Sequence, residues 1–289
     1  MKLSFARRSR RLAALATFAL VPLCISSTAK SEESVRATIK MPTRGICAHR
    51  GASLTHPENT LPAFGEAIRL GAQMIEFDVA ITRDNKVVLM HDQTVDRTTN
   101  GSGPVSEHTL AEIQQLDAGG FKGSEFKGTR VPTLGQTLQM MPDNIWLNVH
   151  LKGSDQLAIE TAKIIQTAQR THQCFLACGQ KEIEAARSAV PTIKHCNMDR
   201  QANHLKYVEE TVNIKAEFIQ LLGGNSADPK HIQVARKNGV TVNYCCSNSA
   251  EVVSSLFKSG VQFPLVDDVS GMMAVAIKQG IPKLEPQFR

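Results

Sequence analysis

Eight short apolar runs recur along the chain, and most neighbours are separated by enough residues for a helix. They cover 45–48, 74–80, 145–151, 174–178, 192–197, 217–222, 240–244 and 263–266. Between them, 61–70, 154–170, 181–189, 229–237 and 250–258 have helical character. Strand and helix alternating eight times predict an α/β fold, a (β/α)8 TIM barrel spanning 45–289 as one domain. One extra run, 86–90, follows the second strand after only three residues. A parallel crossover needs a dozen or more, so this run is expected to fold back as an antiparallel hairpin partner. A polar, Gly-rich stretch from about 94 to 130 then precedes the third barrel strand. It is expected to form a small inserted subdomain over one barrel face.

In such barrels the chemistry lies at the carboxyl ends of the strands, and the polar residues fall there. The first strand ends in His49 and Arg50, and the second carries Glu76 and Asp78. Their i, i+2 spacing points both carboxylates to one side. The hairpin strand ends in His91 and Asp92, and the third barrel strand carries His150 and Lys152, again at i, i+2. Two carboxylates projecting together repel, and a hard divalent cation such as Mg²⁺ or Ca²⁺ relieves that. Arg50 and Lys152 supply the fork and the point charge that hold a phosphate. His49 and His91 can exchange protons near neutral pH, and Asp92 could orient an imidazole. Taken singly, each residue has an ordinary structural reading as a strand face, a turn or a satisfied histidine. Their conjunction at successive strand ends points to cleavage of a phosphodiester.

The motifs that carry these residues resemble the glycerophosphodiester phosphodiesterase family. They are Ala48-His49-Arg50-Gly51-Ala52, Pro57-Glu58-Asn59-Thr60, Glu76-Phe77-Asp78-Val79 and His91-Asp92, followed by 96–103, 116–119 and 131–134. The likeness is dense from about Ile46 to Met141 and thins afterwards. It implies a TIM barrel with an insertion after the hairpin histidine, and hydrolysis of glycerophosphodiesters to sn-glycerol 3-phosphate and an alcohol. It further implies His49 and His91 as the acid–base pair, Arg50 as a phosphate ligand and Glu76 and Asp78 as metal ligands. Glu58 lies in a motif that supports the site. The implied route is attack by a glycerol hydroxyl on phosphorus, giving a cyclic phosphate that water opens.

Three positions depart from the family pattern. The usual Glu-x-Lys of the third barrel strand is His150-Leu151-Lys152 here, so the implied third metal ligand would be an imidazole. That moves the expected preference from Ca²⁺ and Mg²⁺ toward Mn²⁺, Co²⁺ or Zn²⁺; alternatively, His150 is a hydrogen-bonding pocket wall without metal. The family's Trp-Thr-Val-Asn at the seventh strand is Cys245-Cys246-Ser247-Asn248, and its Thr-Asp-x-Pro at the eighth is Val266-Asp267-Asp268-Val269. These changes keep two rivals in play. One is a phospholipase D-like lyase that cyclises lysophospholipid or sphingolipid head groups. The other is a head-group-binding protein without catalysis.

Charge sets the remaining boundaries. The chain has 289 residues and a formal charge of +6, and Lys2, Arg7, Arg8, Arg10 and Arg11 precede the apolar run 12–25. That run is too short to span a bilayer, and small residues ending at Ala29 follow it. Residues 1–29 are therefore expected to be a secretory signal peptide, 30–44 a polar segment, and the mature protein periplasmic or extracellular. Without the five basic residues, 28 basic side chains face 27 acidic ones, so the polyanion partner that the +6 hints at disappears with the leader. With one Trp and two Tyr and no basic run interleaved with aromatics, nucleic acid is excluded. The expected partner is a small-molecule diester, with no integral membrane segment in the mature chain and no sign of oligomeric state. Cys47, Cys174, Cys178, Cys196, Cys245 and Cys246 each read first as small buried hydrophobes. Cys245 and Cys246 either form a vicinal bridge or lie on opposite faces of one strand.

Overall fold

One strand, β2 (Met74–Ile81), organises the sheet, and it is buried on both faces over nearly its whole length, as a barrel strand walled by helices must be. On one edge it pairs in parallel with β4 (Trp146–Leu151). The other edge is shared by two strands. β1 (Cys47–His49) pairs in parallel with Met74–Glu76, and β3 (Val87–Leu89) pairs antiparallel with Val79–Ile81. β3 therefore descends along β2 toward the end of β1, and Met90 N donates to Asp78 O at 3.1 Å as the chain arrives at His91. The parallel series continues through β5 (Cys174–Cys178), β6 (Lys194–Asn197), β7 (Phe218–Leu222), β8 (Thr241–Cys245) and β9 (Phe263–Val266). β9 pairs with β1 and closes the ring. This is the expected eight-stranded parallel barrel with one antiparallel flap. The computed structural model describes residues 39–288, so the leader expected over 1–29 lies outside them.

Alternate side chains of the strands point into the barrel. Cys47, Met74, Phe175, Ala177, Cys196, Phe218, Phe263 and Leu265 pack there in one cluster with Trp146. Phe175 stacks on Phe218 with centroids 3.8 Å apart, and Trp146 meets Phe218 edge-on at 5.1 Å. The interior is thus a filled floor, and chemistry is confined to the mouth above it. The opposite side chains, among them Ala48, Ile75, Phe77 and Val149, pack outward in the main core shared with the surrounding helices.

Those helices are α1 (Leu61–Leu70), α2 (Leu110–Ile113), α3 (Leu134–Met140), α4 (Asp155–Thr167), α5 (Gln180–Ala189), α6 (Leu205–Asn213), α7 (Pro229–Lys237), α8 (Ala250–Ser259) and α9 (Val269–Lys278). The sequence does not announce α3, α6 and α9. α6 buries Tyr207, Val208 and Thr211. α9 follows β9 almost directly, and its Gly271 amide donates to the Asp268 carboxylate that caps it. The stretch between β3 and α3 holds only α2 and two 3-10 turns, Val105–Glu107 and Ser124–Phe126. Val95, Val105, Ile113, Ala118 and Val131 pack there against Ala80, Val88 and Met90 of the hairpin. Among the described residues no helix is long and apolar enough to cross a membrane.

Candidate active site

The turn after β1 determines where its side chains go. Arg50 (φ 57°) and Gly51 (φ 80°) are both left-handed, which reverses the chain immediately after His49. A Cβ on Gly51 would stand 2.8 Å from the Ala63 backbone, so glycine is required by space as well as by φ. The Arg50 amide donates to Glu76 Oε2 at 3.0 Å. Its guanidinium donates to Glu58 Oε1 at 2.8 Å and lies 3.4 Å from Asp78 Oδ2.

The two adjacent acids, Glu76 and Asp78, are almost wholly buried. Asn59, itself left-handed, clasps Asp78 from both sides. Its Nδ2 donates to Asp78 Oδ2 at 2.9 Å, and its Oδ1 accepts from the Asp78 amide at 3.0 Å. Burial penalises the Glu76 charge, but His150, His49 and Arg50 outweigh that and hold its pKa at about 2. Asp78 is raised, first by burial and then by the Glu76 charge. His150 Nδ1 stands 3.5 Å from Asp78 Oδ1 and 3.7 Å from Glu76 Oε1. The Lys152 ammonium lies 3.2 Å from both Asp78 Oδ1 and His150 Nδ1.

These residues fit a divalent cation. Asp78 Oδ1 is buried and makes no aligned hydrogen bond, meeting only the Lys152 ammonium and the His150 ring. Ligand atoms of Glu76, Asp78 and His150 all lie within 4.8 Å of one another, as donors around a single ion do. His150 Nδ1 faces the two carboxylates and the Lys152 ammonium at once, and as a neutral imidazole it can ligate a cation held there.

Both other histidines are held by carboxylates. His49 Nδ1 lies 2.8 Å from Asp267 Oδ1, and that carboxylate also accepts from Ser53 Oγ and Asn248 Nδ2, each at 3.0 Å. These contacts depress the Asp267 pKa, the His49 hydrogen bond foremost. The carboxylate is therefore ionised and only accepts, so Nδ1–H donates and Nε2 is left for chemistry. Burial opposes a charge on His49, but Asp267 and Glu76 more than compensate, and its pKa rises. His91 Nδ1 lies 2.7 Å from Asp92 Oδ1. Arg97 grips Asp92 through Nε at 2.7 Å and Nη2 at 3.0 Å, and reaches Glu58 through Nη1 and Nη2, both at 2.9 Å. Arg97 chiefly, with His91, depresses the Asp92 pKa. Arg50, Glu58, Arg97, Asp92 and His91 thus form one continuous chain of charge-assisted contacts.

All nine residues singled out in the sequence lie at this end of the barrel: His49, Arg50, Glu58, Glu76, Asp78, His91, Asp92, His150 and Lys152. Three others that structure the site were not singled out: Asp267, Arg97 and Asn59. Asn59, Arg97 and Asp267 all stand inside quoted segments without a role, Asp267 at the close of the eighth barrel strand. At the end of β8, Cys245 and Cys246 are disulfide-bonded across a cis peptide. A ring nitrogen of His49 and both sulfurs lie within 4.8 Å of one another. Cys47, Cys174, Cys178 and Cys196 are free and buried, as expected.

Residues 49–262 match the glycerophosphoryl diester phosphodiesterase family. The Bacillus subtilis protein named "Putative glycerophosphodiester phosphodiesterase YhdW" is 51% identical over 40% of this chain and 48% of its own. The chain thus matches about half the length of that relative. A glycerophosphodiester phosphodiesterase of Caldanaerobacter subterraneus is 30% identical over 81% of this chain and 98% of its own. The crystal structure of a glycerophosphodiester phosphodiesterase from Agrobacterium tumefaciens superposes with a TM-score of 0.71 at 27% identity, covering 80% of this chain and 99% of that one. The chain belongs to the glycerophosphoryl diester phosphodiesterase family.

Proposed function

We propose that this protein hydrolyses glycerophosphodiesters to sn-glycerol 3-phosphate and an alcohol, using His49 and His91 as the proton-transfer pair. The observation that carries this reading is the matched setting of the two imidazoles. Each has Nδ1 on a carboxylate whose pKa is depressed, Asp267 for His49 and Asp92 for His91, and each keeps Nε2 for the substrate. Such anchoring fixes ring orientation and stabilises the imidazolium that forms in turnover.

Glu76, Asp78 and His150 would hold a divalent cation, which when bound supplies charge neutralisation of the phosphate and a lower pKa for a nearby hydroxyl. The rest belongs to the chain. Arg50, fixed by Glu58, offers donors to the phosphate. One imidazole takes the proton of a substrate glycerol hydroxyl as it attacks phosphorus, and the other protonates the leaving alcohol. A cyclic phosphate results, and water opens it with the proton roles reversed. We further propose that the mature protein is exported. The five basic residues and the apolar run before Ala29 support that, and the N-terminal mass of the secreted chain tests it.

The deciding experiment is turnover of glycerophosphocholine and glycerophosphoethanolamine followed by phosphorus NMR, with Mg²⁺, Ca²⁺, Mn²⁺, Co²⁺ and Zn²⁺ in turn. Glycerol 3-phosphate as the end product is expected. A cyclic phosphate that persists would make the protein a lyase, and no turnover with any cation would make it a head-group binder.

A further inference from the structure

We infer that Cys245, Cys246 and His49 form a second cation site, for a thiophilic d¹⁰ dication of the zinc and cadmium class, which opens when the Cys245–Cys246 bond is reduced and switches catalysis off. The placement is specific. A ring nitrogen of His49 and the two sulfurs lie within 4.8 Å of one another, and two thiolates with one imidazole are a ligand set for such a cation. Cys246 is exposed and Cys245 half-buried, so a cation arriving from solvent reaches both. The other cysteines among the described residues do not compete, because Cys47, Cys174, Cys178 and Cys196 are buried and burial raises their thiol pKa. The thiolate is the metal-binding form, so these four are disfavoured.

The mouth then presents two sites of opposite character. Glu76 and Asp78 with His150 make an oxygen-rich site for a hard or borderline cation, whereas the sulfur pair selects a soft one. They are exclusive in function because His49 Nδ1 is committed to Asp267. A soft ion on Nε2 removes the nitrogen that proton transfer requires.

The chemistry balances. A phosphine attacks the disulfide, the S–S bond breaks, and phosphorus is oxidised to the phosphine oxide with oxygen from water. The two protons of that water end on the sulfurs. Binding of the dication then forms two S–metal bonds and releases the two thiol protons. The inhibition rests on the phosphodiesterase reading, but the binding does not.

The test titrates the full chain with Cd²⁺, oxidised or phosphine-reduced and freed of reductant, in excess Mn²⁺ to fill the oxygen-rich site. The reduced protein is expected to take up one Cd²⁺ with an ultraviolet thiolate-to-metal charge-transfer band. Glycerophosphocholine hydrolysis should fall in step with that band, and the oxidised protein should show neither effect. His49→Gln is expected to keep the band and weaken Cd²⁺ binding at least about tenfold. No band in the reduced wild-type protein, or an equal band in the oxidised protein, overturns the site. So does a band retained in the Cys245→Ser/Cys246→Ser double variant. A full band with undiminished hydrolysis overturns the switch while leaving the phosphodiesterase assignment standing.

Discussion

Asp267 Oδ1 stands 2.8 Å from His49 Nδ1, a contact between residues 218 positions apart. Closure of the barrel makes it. β9 returns to pair with β1, so the residue that follows the last strand arrives beside the one that ends the first. Ser53 and Asn248 complete the hydrogen bonding of the carboxylate. An ionised, fully bonded acid is therefore held against the imidazole.

Replacing Asp267 by Asn keeps the shape and removes the charge. A carboxamide can also offer its N–H to Nδ1 and stabilise the wrong tautomer. The expected loss in kcat is at least ~10²-fold, the low end for an acid–base group, with a smaller change in KM. The limb of the pH–rate profile that belongs to His49 should move to lower pH, because Asp267 is among the groups that raise its pKa. An unmoved profile would show that Asp267 is merely structural.

The same pair predicts how stability depends on pH. The folded-state pKa of His49 lies above its ordinary 6.5, so its contribution is complete below 6.5 and is lost as pH rises through the folded value. That of Asp267 lies below 3.8, so its contribution is present above 3.8 and is lost as pH falls through the folded value. Thermal unfolding should therefore show a larger Tm cost for Asp267→Asn at about pH 5.5 than at about pH 9. Equal costs at both would contradict the ion pair.

Arg97 is the only link in the described contacts between Glu58 and Asp92, and it uses its fork on both. Lysine preserves the charge but not the paired geometry. Arg97→Lys is expected to lower kcat about tenfold or more through loosened orientation of His91. Because Arg97 is about half exposed, stability should fall by no more than about 1 kcal/mol. Steady-state kinetics with urea unfolding of the same samples checks both.

His150→Glu would put a third carboxylate beside Glu76 and Asp78. In protein stripped by a chelator, activity should return better with Ca²⁺ or Mg²⁺ than it does for the parent, whose imidazole favours Mn²⁺, Co²⁺ or Zn²⁺. An unchanged order of activating cations would remove His150 from the ligand set.

Phe218 lies between Phe175 and Trp146 in the barrel floor and is 2% exposed. Phe218→Ala should cost about 3–5 kcal/mol in urea unfolding. A cost below about 1 kcal/mol would mean that the floor collapses around the gap.

Much of this protein is determined locally and can be read from the chain. Period-two patterning puts Glu76 and Asp78 on one face of a strand. The three residues 83–85 force β3 antiparallel. The alternation of strands with helices leaves a barrel as the way to bury both, with His49, His91 and His150 at strand ends. Helices such as α6 are short, and their stability comes from tertiary packing. The tertiary structure alone decided that Asp267 serves His49, that Arg97 joins Glu58 to Asp92, and that Asn59 clasps Asp78. It also decided that Cys245 and Cys246 bond beside His49. These are through-space pairings between distant segments, brought to hydrogen-bond distance by ring closure and by the descent of β3. Hydrogen bonds and short-range charge act over a few ångströms of space, and sequence separation carries no measure of that distance.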